Sequence, residues 1–421
     1  MRGDTIAALD IGSTKVCCFI AQRQDDSTAR IIGIGHQLAR GMRAGAVVDM
    51  EDLEHSIRAA VESAEEMANE RIRSVVVNVS GGMPASTNVR VEVAMNGHAV
   101  NEADLRRMLE HGRAHHDSPD RELLHAIPVD YTIDGNEGIR DPRGMFGERL
   151  GVAIHVISAA SGPVRNLSTV VNRCHLDVDL RVISPMASGL ACLVEDEREL
   201  GVTCIDMGGG TTSIAVFMGN QLVHTDVLPI GGAHVTSDIA RGLSTPVIHA
   251  ERLKTLYGSV IPSPSDDREM LKVPLVGEDE TDSANQVPRS LLVQIIQPRV
   301  EEILELVRAR LEESGYDKAV GRRVVLTGGA SQMQGLREMA THMLDKQVRQ
   351  GRPVGFMGLP EATGGPAFSA CAGLIRYAAL HQVGHQGRKS GRRNDRAQDG
   401  HGYDDQGSLI SRVGQWLRHN F

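Results

Sequence analysis

Two short glycine-rich segments with nearly the same order of residue types carry the chemistry that this sequence suggests. Each consists of an apolar strand that ends in an aspartate, a turn rich in glycine and hydroxyl residues, and a second apolar strand. The copies lie at 8–19 and 204–217, and their aspartates, Asp10 and Asp206, are 196 positions apart. Because glycine lets backbone N–H groups approach phosphate oxygens without a Cβ clash, both turns are candidate phosphate-binding loops.

The side chains beside these turns strengthen that prediction. Hydroxyl groups donate hydrogen bonds, Lys15 supplies a positive charge, and two carboxylates can hold Mg²⁺ through its water shell. The predicted phosphate-binding residues are Gly12, Ser13, Thr14, Lys15, Gly208, Gly209, Gly210, Thr211 and Thr212, and the predicted Mg²⁺-water residues are Asp10 and Asp206. Neither copy has Walker A spacing, and no G-x-G-x-x-G precedes a helix, which excludes a P-loop and a Rossmann site.

Two further segments predict where a nucleoside would lie. Residues 324–331 (VVLTGGAS) indicate a strand, a double glycine and a helix start, so Gly328 and Gly329 would let a flat base lie on the backbone, with Ser331 beside it. On a helix, Glu251 and Lys254 share a face. Glu251 could then bond a ribose while the Lys254 stem packs on adenine, although an exposed helix face often carries such a pair. The predicted ligands are ATP and Mg²⁺, with no metal bound directly by side chains.

The composition narrows the class of protein. The 421 residues carry a net charge of −9 and only 3% are aromatic, which argues against the basic or stacking surfaces of nucleic-acid binding proteins. The six cysteines form no C-x-x-C pair and indicate reduced thiols rather than zinc ligands or disulfides. No run approaches 18 apolar residues and the chain opens on a strand, so we expect neither a transmembrane helix nor a signal peptide.

Periodicity predicts the elements that position the two loops. The predicted elements of the body are strands 5–10, 14–21, 30–35, 74–79, 176–183 and 323–327, three strands within 201–228, and helices 51–69, 163–173, 233–242, 246–257, 290–314 and 367–379. Asp49 is expected to cap helix 51–69. On helix 290–314 the residues expected to face inward are Leu291, Ile295, Val300, Ile303, Leu304, Val307 and Leu311. Residues 262–288, rich in Pro, Ser and Asp, are expected to form an exposed loop.

About 80 residues interrupt this pattern after strand 74–79. Within this insertion, 83–162, we expect a helix over 102–115 capped by Asn101, followed by strands at 127–133 and 151–159.

Together these segments resemble the actin-like ATPase superfamily over roughly residues 1–383. The two hairpins are similar to its phosphate motifs, and 324–336 is similar to its adenosine motif. Segments 184–191 and 367–374, rich in small residues, are similar to its two connecting helices, which cross at the hinge between two lobes. The resemblance implies an α/β fold: a duplicated actin-like (ribonuclease H-like) fold with two lobes.

The position of the insertion points to one branch of that superfamily. Many members insert a subdomain between the third strand and the first helix, where this chain has only the 15 residues 36–50. Here the insertion follows strand 74–79, as subdomain 1C does in the FtsA family of cell division proteins, and 141–150 (DPRGMFGERL) is similar to a signature of that subdomain. The implied divisions are subdomain 1A at 1–82, 163–190 and 365–383, 1C at 83–162, 2A at 191–229 and 305–364, 2B at 230–304, a disordered linker at 384–406 and a membrane-targeting amphipathic helix at 407–421.

The end of the chain supports a membrane role independently. Segment 384–406 has almost no apolar residue and cannot bury enough surface to fold. In the segment that follows, apolar residues recur at spacings of three and four beside basic ones, which is typical of a helix on an anionic membrane surface. The predicted membrane-contacting residues are Leu409, Ile410, Val413, Trp416, Leu417 and Phe421. The alternative is that this helix docks on the protein's own body or on another protein.

The resemblance implies a structural role in cell division. A protein of this kind is expected to bind ATP, to polymerise with copies of itself, and to tether the FtsZ ring to the cytoplasmic face of the plasma (inner) membrane at the septum. Subdomain 2B would bind the C-terminal peptide of the tubulin-like GTPase FtsZ. Subdomain 1C would contact the neighbouring protomer and later division proteins.

Two alternatives remain from the same superfamily: an assembly protein of the PilM type, and a small-molecule kinase or phosphatase. Ser184-Pro185 stands where many actin-like ATPases carry Glu or Gln, so a carboxylate base is missing from that position. We therefore expect a nucleotide-binding protein that is at most a slow ATPase rather than an enzyme.

Overall fold

Two five-stranded sheets with the same strand order form the body of the structure, a computed structural model that describes residues 5–24, 28–114, 118–277 and 285–390. In each sheet three antiparallel strands are continued by two parallel ones. The repeat in the sequence is therefore a repeat of the fold, and the predicted duplication is confirmed.

The first lobe opens with three strands, a small hairpin, a helix and a fourth long strand. They are β1 (Thr5–Ile11), β2 (Lys15–Arg23), β3 (Ala29–Leu38), β4 (Met42–Arg43), β5 (Ala46–Val47), α1 (Met50–Ala68) and β6 (Ser74–Val79). Asp49 caps α1 as predicted, since its Oδ1 accepts from the amides of Glu51 and Asp52 at 3.0 Å.

The insertion is a module with a sheet, a helix and a core of its own. Its elements are β7 (Ala85–Ala94), α2 (Glu102–Ala114), β8 (Arg121–Ile133), β9 (Asn136–Ile139) and β10 (Arg149–Ala160), with strand order β7-β10-β8-β9. Met95, Met108, Leu150 and Ile154 are fully buried between α2 and this sheet. Asn101 caps α2 as predicted, because its Oδ1 accepts from Ala103 N at 2.8 Å.

The chain then completes the first lobe and builds the second. After α3 (Ser161–Arg173), β11 (Asp177–Ile183) adds the last strand of the first sheet, whose order is β3-β2-β1-β6-β11. The helices α4 (Ser184–Cys192) and α5 (Glu195–Leu200) then connect the first lobe to the second. The second lobe comprises β12 (Val202–Met207), β13 (Thr212–Met218), β14 (Gln221–Leu228), α6 (Gly232–Gly242), α7 (Val247–Tyr257), β15 (Met270–Val273), β16 (Asn285–Pro288), α8 (Arg289–Ser314), β17 (Arg323–Thr327), α9 (Leu336–Leu344) and β18 (Gln347–Gln350). Its sheet order is β14-β13-β12-β17-β18.

The two lobes are joined by a close crossing of α4 with α10 (Ser369–Ser390), the last helix of the described residues. A Cβ at Gly373 would lie 1.7 Å from the carbonyl oxygen of Ala187. Only glycine therefore allows the two backbones to come this near, and the predicted close crossing of small-residue helices is confirmed.

Three local predictions differ from the structure. Part of 262–288 pairs as the hairpin β15–β16, because Leu271, Val273 and Val287 are buried. On α8, Leu292, Val293 and Ile296 are buried in place of the predicted Leu291 and Ile295. The stripe that begins at Val300 reaches these positions when it is extended back at 100° per residue.

The third difference concerns α10, which runs to Ser390 and so enters the segment 384–406 that was predicted to be a disordered linker. A helix that has already nucleated can propagate through residues of high helix propensity such as Gln, Arg and Lys. Among the residues that the structure describes, no helix combines the length and apolar character needed to span a bilayer.

Candidate functional site

The two repeated turns have the same backbone geometry. The amide of Gly12 donates to the carbonyl of Lys15 at 2.9 Å, and the amide of Gly208 donates to that of Thr211 at the same distance. Each turn joins a pair of antiparallel strands, β1 with β2 and β12 with β13. The same local sequence pattern thus produces one loop in each lobe.

The two loops face each other across a cleft of about 190 Å³ and touch at their tips. A Cβ added at Gly209 would lie 2.4 Å from side-chain atoms of Thr14, and one added at Gly210 would lie 2.3 Å from Ser13 Oγ. Ser13 Oγ also accepts from the amide of Gly45 at 2.9 Å. The glycines are therefore required for the loops to meet, as expected of a clamp that grips one ligand from both sides.

Hydrogen bonds from the start of α6 hold the backbone carbonyls of the second loop. The amides of Gly232 and Ala233 donate to the carbonyls of Gly208 and Gly209 at 2.9 and 2.7 Å. These carbonyl oxygens, which would repel an anion, are thus engaged with the helix rather than with the cleft. The loop presents a surface on which negative charge is tolerated.

Two carboxylates line the cleft, the buried Asp10 and the half-buried Asp206. Burial raises the pKa of Asp10 to about 6; the nearby Lys15 charge acts in the opposite direction, and Asp206 adds to the increase. Burial also raises the pKa of Asp206, while a hydrogen bond donated by the Ser188 hydroxyl and the charge of Lys15 lower it. Two carboxylates partly withdrawn from water in one cleft are unfavourable without a cation, and a hydrated divalent ion fits this pair of oxygen donors.

The one cationic side chain of the predicted phosphate-binding set, Lys15, reaches across to the segment before α10. Lys15 Nζ donates to the carbonyl of Ala367 and lies 3.5 Å from the centre of the Phe368 ring. It lines the cleft, so its charge is available to an anion bound there.

Most of the predicted phosphate and Mg²⁺ residues are brought together in this cleft. The lining includes the predicted residues Asp10, Gly12, Ser13, Thr14, Lys15, Asp206, Gly208, Gly209, Gly210, Thr211, Gly328 and Gly329. Gly328 has φ +86°, and a Cβ there would lie 2.2 Å from Asp206 Oδ1, so the double glycine also has a steric cause.

Four predicted residues make contacts elsewhere. Thr212 is fully buried, and its hydroxyl donates to the carbonyl of Ile230 at 2.8 Å. The Ser331 hydroxyl donates to the carbonyl of Gly328 at 2.7 Å and supports that turn. The other two, Glu251 and Lys254, both lie on α7 and contact α6.

In that pair, Lys254 Nζ lies 2.6 Å from Glu251 Oε2, 2.8 Å from Thr236 Oγ1 and 3.2 Å from the carbonyl of Gly232. Glu251 and Lys254 therefore brace the helix that holds the second loop. The predicted membrane-contacting residues, from Leu409 to Phe421, lie outside the described residues.

The sequence did not single out three polar residues of the cleft, namely Asn78, Ser80 and Ser213. Asn78 Oδ1 accepts from the amide of Ile11 at 2.7 Å, and its Nδ2 donates to Ser184 Oγ at 3.2 Å, so it links β1, β6 and α4. The signal that could have revealed it is its position in β6, where it is the one polar residue within an otherwise all-valine run, 75–79.

Comparison with known proteins supports this architecture. Residues 203–373 match the family model described as cell division protein FtsA, and residues 81–158 match the SHS2 domain inserted in FtsA. Among solved structures, the PilM–PilN type IV pilus biogenesis complex has a TM-score of 0.64 at 17% identity, covering 90% of this chain and 99% of that one. MreB5 of Spiroplasma citri bound to ADP has a TM-score of 0.51 at 12% identity, covering 94% and 100%. These likenesses confirm the actin-like fold.

Curated relatives extend the match over the whole chain. Cell division protein FtsA of Pseudomonas aeruginosa is 36% identical over 420 residues, which are 100% of this chain and 99% of the relative. Cell division protein FtsA of Agrobacterium fabrum is 44% identical over 430 residues, covering 100% and 96%. The chain therefore belongs to the FtsA family of cell division proteins.

Proposed function

We propose that this protein binds Mg-ATP in the cleft between its lobes, polymerises, and tethers the FtsZ ring to the cytoplasmic face of the plasma membrane at the division septum. The observation that carries the nucleotide part is the contact between the two glycine loops, in which Gly209 and Gly210 meet Thr14 and Ser13. A triphosphate held there would take hydrogen bonds from both lobes at once. Assembly and division roles are supported by family membership.

The cleft residues fit the proposed ligand. Loop amides, the hydroxyls of Ser13, Thr14 and Thr211, and the ammonium group of Lys15 would hold the phosphates. Mg²⁺ would offset the charges of Asp10 and Asp206 and would keep part of its water shell between them. The Gly328–Gly329 turn would carry the nucleoside, since a flat base can lie directly on a backbone without side chains.

We infer that hydrolysis is slow. The residue at the start of α4 is Ser184, whose hydroxyl accepts from Asn78 Nδ2, and the carboxylates that line the cleft are the buried Asp10 and the half-buried Asp206. A general base for water would need a carboxylate or imidazole within reach of the terminal phosphate. We therefore expect a turnover below about one per second, at the low end of typical enzyme rates.

Two surfaces would carry the protein partners. Subdomain 2B, around 230–304, would bind the C-terminal peptide of FtsZ, and the inserted module, 83–162, would contact the neighbouring protomer and later division proteins. The C-terminal segment 407–421, which the sequence predicts to be an amphipathic helix with Trp416 in its apolar stripe, would bind anionic lipid. One copy would bind weakly, and polymerisation would multiply the attachment through effective concentration.

The decisive experiment uses the single tryptophan. Trp416 emission of the full-length protein is followed during titration with liposomes that contain anionic lipid, with and without Mg-ATP. We expect a blue shift that is stronger with Mg-ATP, and co-sedimentation that is lost in Trp416→Glu while Mg-ATP affinity is kept. Asp206→Ala is the matched variant, which should lose Mg-ATP binding and keep the weak, nucleotide-independent lipid binding. No blue shift in either state would reject the membrane anchor, and no Mg-ATP binding by the wild type would reject the nucleotide clamp.

A further inference from the structure

The inserted module belongs to the first lobe by chain connectivity, but it also contacts the edge of the second sheet. β14 is the outer strand of that sheet, and β7 is the outer strand of the module's sheet. An edge strand has backbone N–H and C=O groups that its own sheet does not pair. Here side chains from the module satisfy two of them.

These contacts form a closed ring of hydrogen bonds. His155 Nδ1 lies 2.8 Å from the carbonyl oxygen of Leu222, so this nitrogen carries the proton. His155 Nε2 then accepts from the Ser86 hydroxyl at 2.5 Å. Ser86 Oγ in turn accepts from the amide of Thr225 at 3.3 Å, which returns the ring to β14.

Three of the four residues of the ring are buried and Ser86 is half-buried, which makes the loss of these hydrogen bonds costly. His155 is fully buried and Leu222 and Thr225 are each 1% exposed. Burial lowers the pKa of His155 to about 4, and the adjacent His224 acts in the same direction, so the imidazole is neutral at physiological pH. Breaking the ring without access to water would leave a buried carbonyl and a buried amide unpaired.

A second contact beside the ring joins the same two units. Asn88 Nδ2, on β7, donates to the hydroxyl of Tyr316 at 3.0 Å, and the Tyr316 ring stacks on His224 with centroids 5.9 Å apart. His224 Nδ1 lies 3.5 Å from Ser86 Oγ, so both contacts meet at the same serine. The junction is thus a built interface rather than one chance hydrogen bond.

Both sides of the junction lead directly to the cleft. Ser86 lies six residues after Ser80, which lines the cleft. On the other side, β14 pairs along its whole length with β13, which begins immediately after Thr211 of the second loop. A change in the distance between the two loops would therefore reach the ring through short segments of backbone, a loop over 80–84 on one side and the paired strands β13 and β14 on the other.

We propose that Ser86 and His155 form an inter-lobe latch, which holds the inserted module on the second lobe and couples the module's position to closure of the cleft. The coupling to nucleotide rests on the proposed function, whereas the latch itself does not. With the latch closed, the module moves with both lobes. With the latch open, it is tied to the first lobe alone.

The test measures amide hydrogen exchange of the full-length protein in peptides covering 85–94, 221–228 and the loops 12–15 and 208–212. Ser86→Ala removes the hydroxyl at the centre of the ring, and Ser86→Thr keeps it. Ser158→Ala is the matched control, since this buried serine of β10 accepts from Arg121 Nε at 3.0 Å within the module. Without nucleotide, Ser86→Ala should speed exchange in 221–228 about fivefold, equivalent to one net hydrogen bond. Ser86→Thr and Ser158→Ala should leave that peptide at the wild-type rate.

The outcomes separate the latch from the nucleotide clamp. If Ser86→Ala changes exchange in 85–94 alone, the inter-lobe latch is rejected. Mg-ATP should slow exchange in both loops of the wild type and also in 221–228, and protected loops with an unchanged 221–228 would reject the coupling. Loops that Mg-ATP does not protect would overturn the proposed nucleotide binding, and the nucleotide-free comparison would still decide the latch. The comparison of the wild type with and without Mg-ATP still tests the coupling if a variant fails to fold.

Discussion

Gly373 of α10 and Ala187 of α4 meet backbone to backbone at the crossing between the lobes, where an added Cβ would lie 1.7 Å from the Ala187 carbonyl oxygen. Both helices are buried at this point. Each helix also contains a residue that lines the cleft, Ala370 on α10 and Ser184 on α4. The separation of these helices thus determines how the two lobes sit about the cleft.

Gly373→Ala should therefore destabilise the protein, because the helices must separate to admit one methyl group. Overpacking of this kind costs about 1–3 kcal/mol, and the melting temperature of the nucleotide-free protein should fall accordingly. Gly162→Ala is the control, since the ideal Cβ of this α3 glycine meets nothing within 4 Å. That control should keep or slightly raise the melting temperature. Equal melting temperatures for both variants would show that the helices do not pack this closely in solution.

Local patterns in the sequence predicted the parts of the site that depend on local structure. The two loops repeat a pattern of strand, glycine turn and strand, and the caps Asp49 and Asn101 act within three residues of themselves. Such features need no knowledge of the tertiary fold. The inserted module was also predictable, because its position depends on the order of elements along the chain.

The remaining site residues depend on contacts between distant segments. Asn78 reaches Ser184 across 106 positions, and Ser188 reaches Asp206 from a different element. Thr212 differs for a local reason that the sequence could have revealed. Successive residues of a strand point to opposite faces, and Ser213 lines the cleft, so Thr212 faces away from it.

The adjacent threonines therefore make a matched pair for mutation. Thr212→Val should leave Mg-ATP affinity unchanged but lower the free energy of unfolding by about 1–2 kcal/mol, because the buried carbonyl of Ile230 loses its donor. Thr211→Val should lower Mg-ATP affinity about fivefold with little change in stability, since Thr211 is half-buried and lines the cleft. Calorimetric titration and thermal unfolding of both variants test this. The reverse pattern would mean that Thr212 contacts the phosphates.

The contact between the loops gives a steric prediction. Gly210→Ala would place its Cβ 2.3 Å from Ser13 Oγ and 3.0 Å from the amide nitrogen of Ala44, so the loops must separate. Mg-ATP affinity should fall at least about tenfold, which corresponds to ~1.4 kcal/mol. The nucleotide-free melting temperature should fall too, because the loop contact is lost. Gly329→Ala lines the same cleft but has its nearest contact at an ordinary 3.8 Å, and it should keep that melting temperature. Equal nucleotide-free melting temperatures would contradict the steric argument.

The buried latch histidine makes stability depend on pH. The pKa of His155 is about 4 in the folded protein, against about 6.5 for a histidine in water. Between these two values the unfolded chain binds a proton at this residue and the folded protein does not. Its contribution therefore falls as pH drops from about 6.5 to about 4, by up to about 3 kcal/mol. Two carboxylates with raised pKa values, Asp10 and Asp206, act in the opposite direction, since the folded protein protonates them more readily than the unfolded chain.

Because these contributions oppose each other, the informative quantity is the difference between wild type and His155→Gln. When the pH is lowered from 7 to 5, the free energy of unfolding of His155→Gln should fall by about 2 kcal/mol less than that of the wild type. Urea unfolding of both proteins at each pH measures this. His342→Gln, at an exposed position on α9, is the control and should follow the wild type. A His155→Gln variant with the wild-type pH dependence would mean that His155 is solvated in the folded protein. The hydrogen-bond ring that closes on Leu222 would then be open in solution.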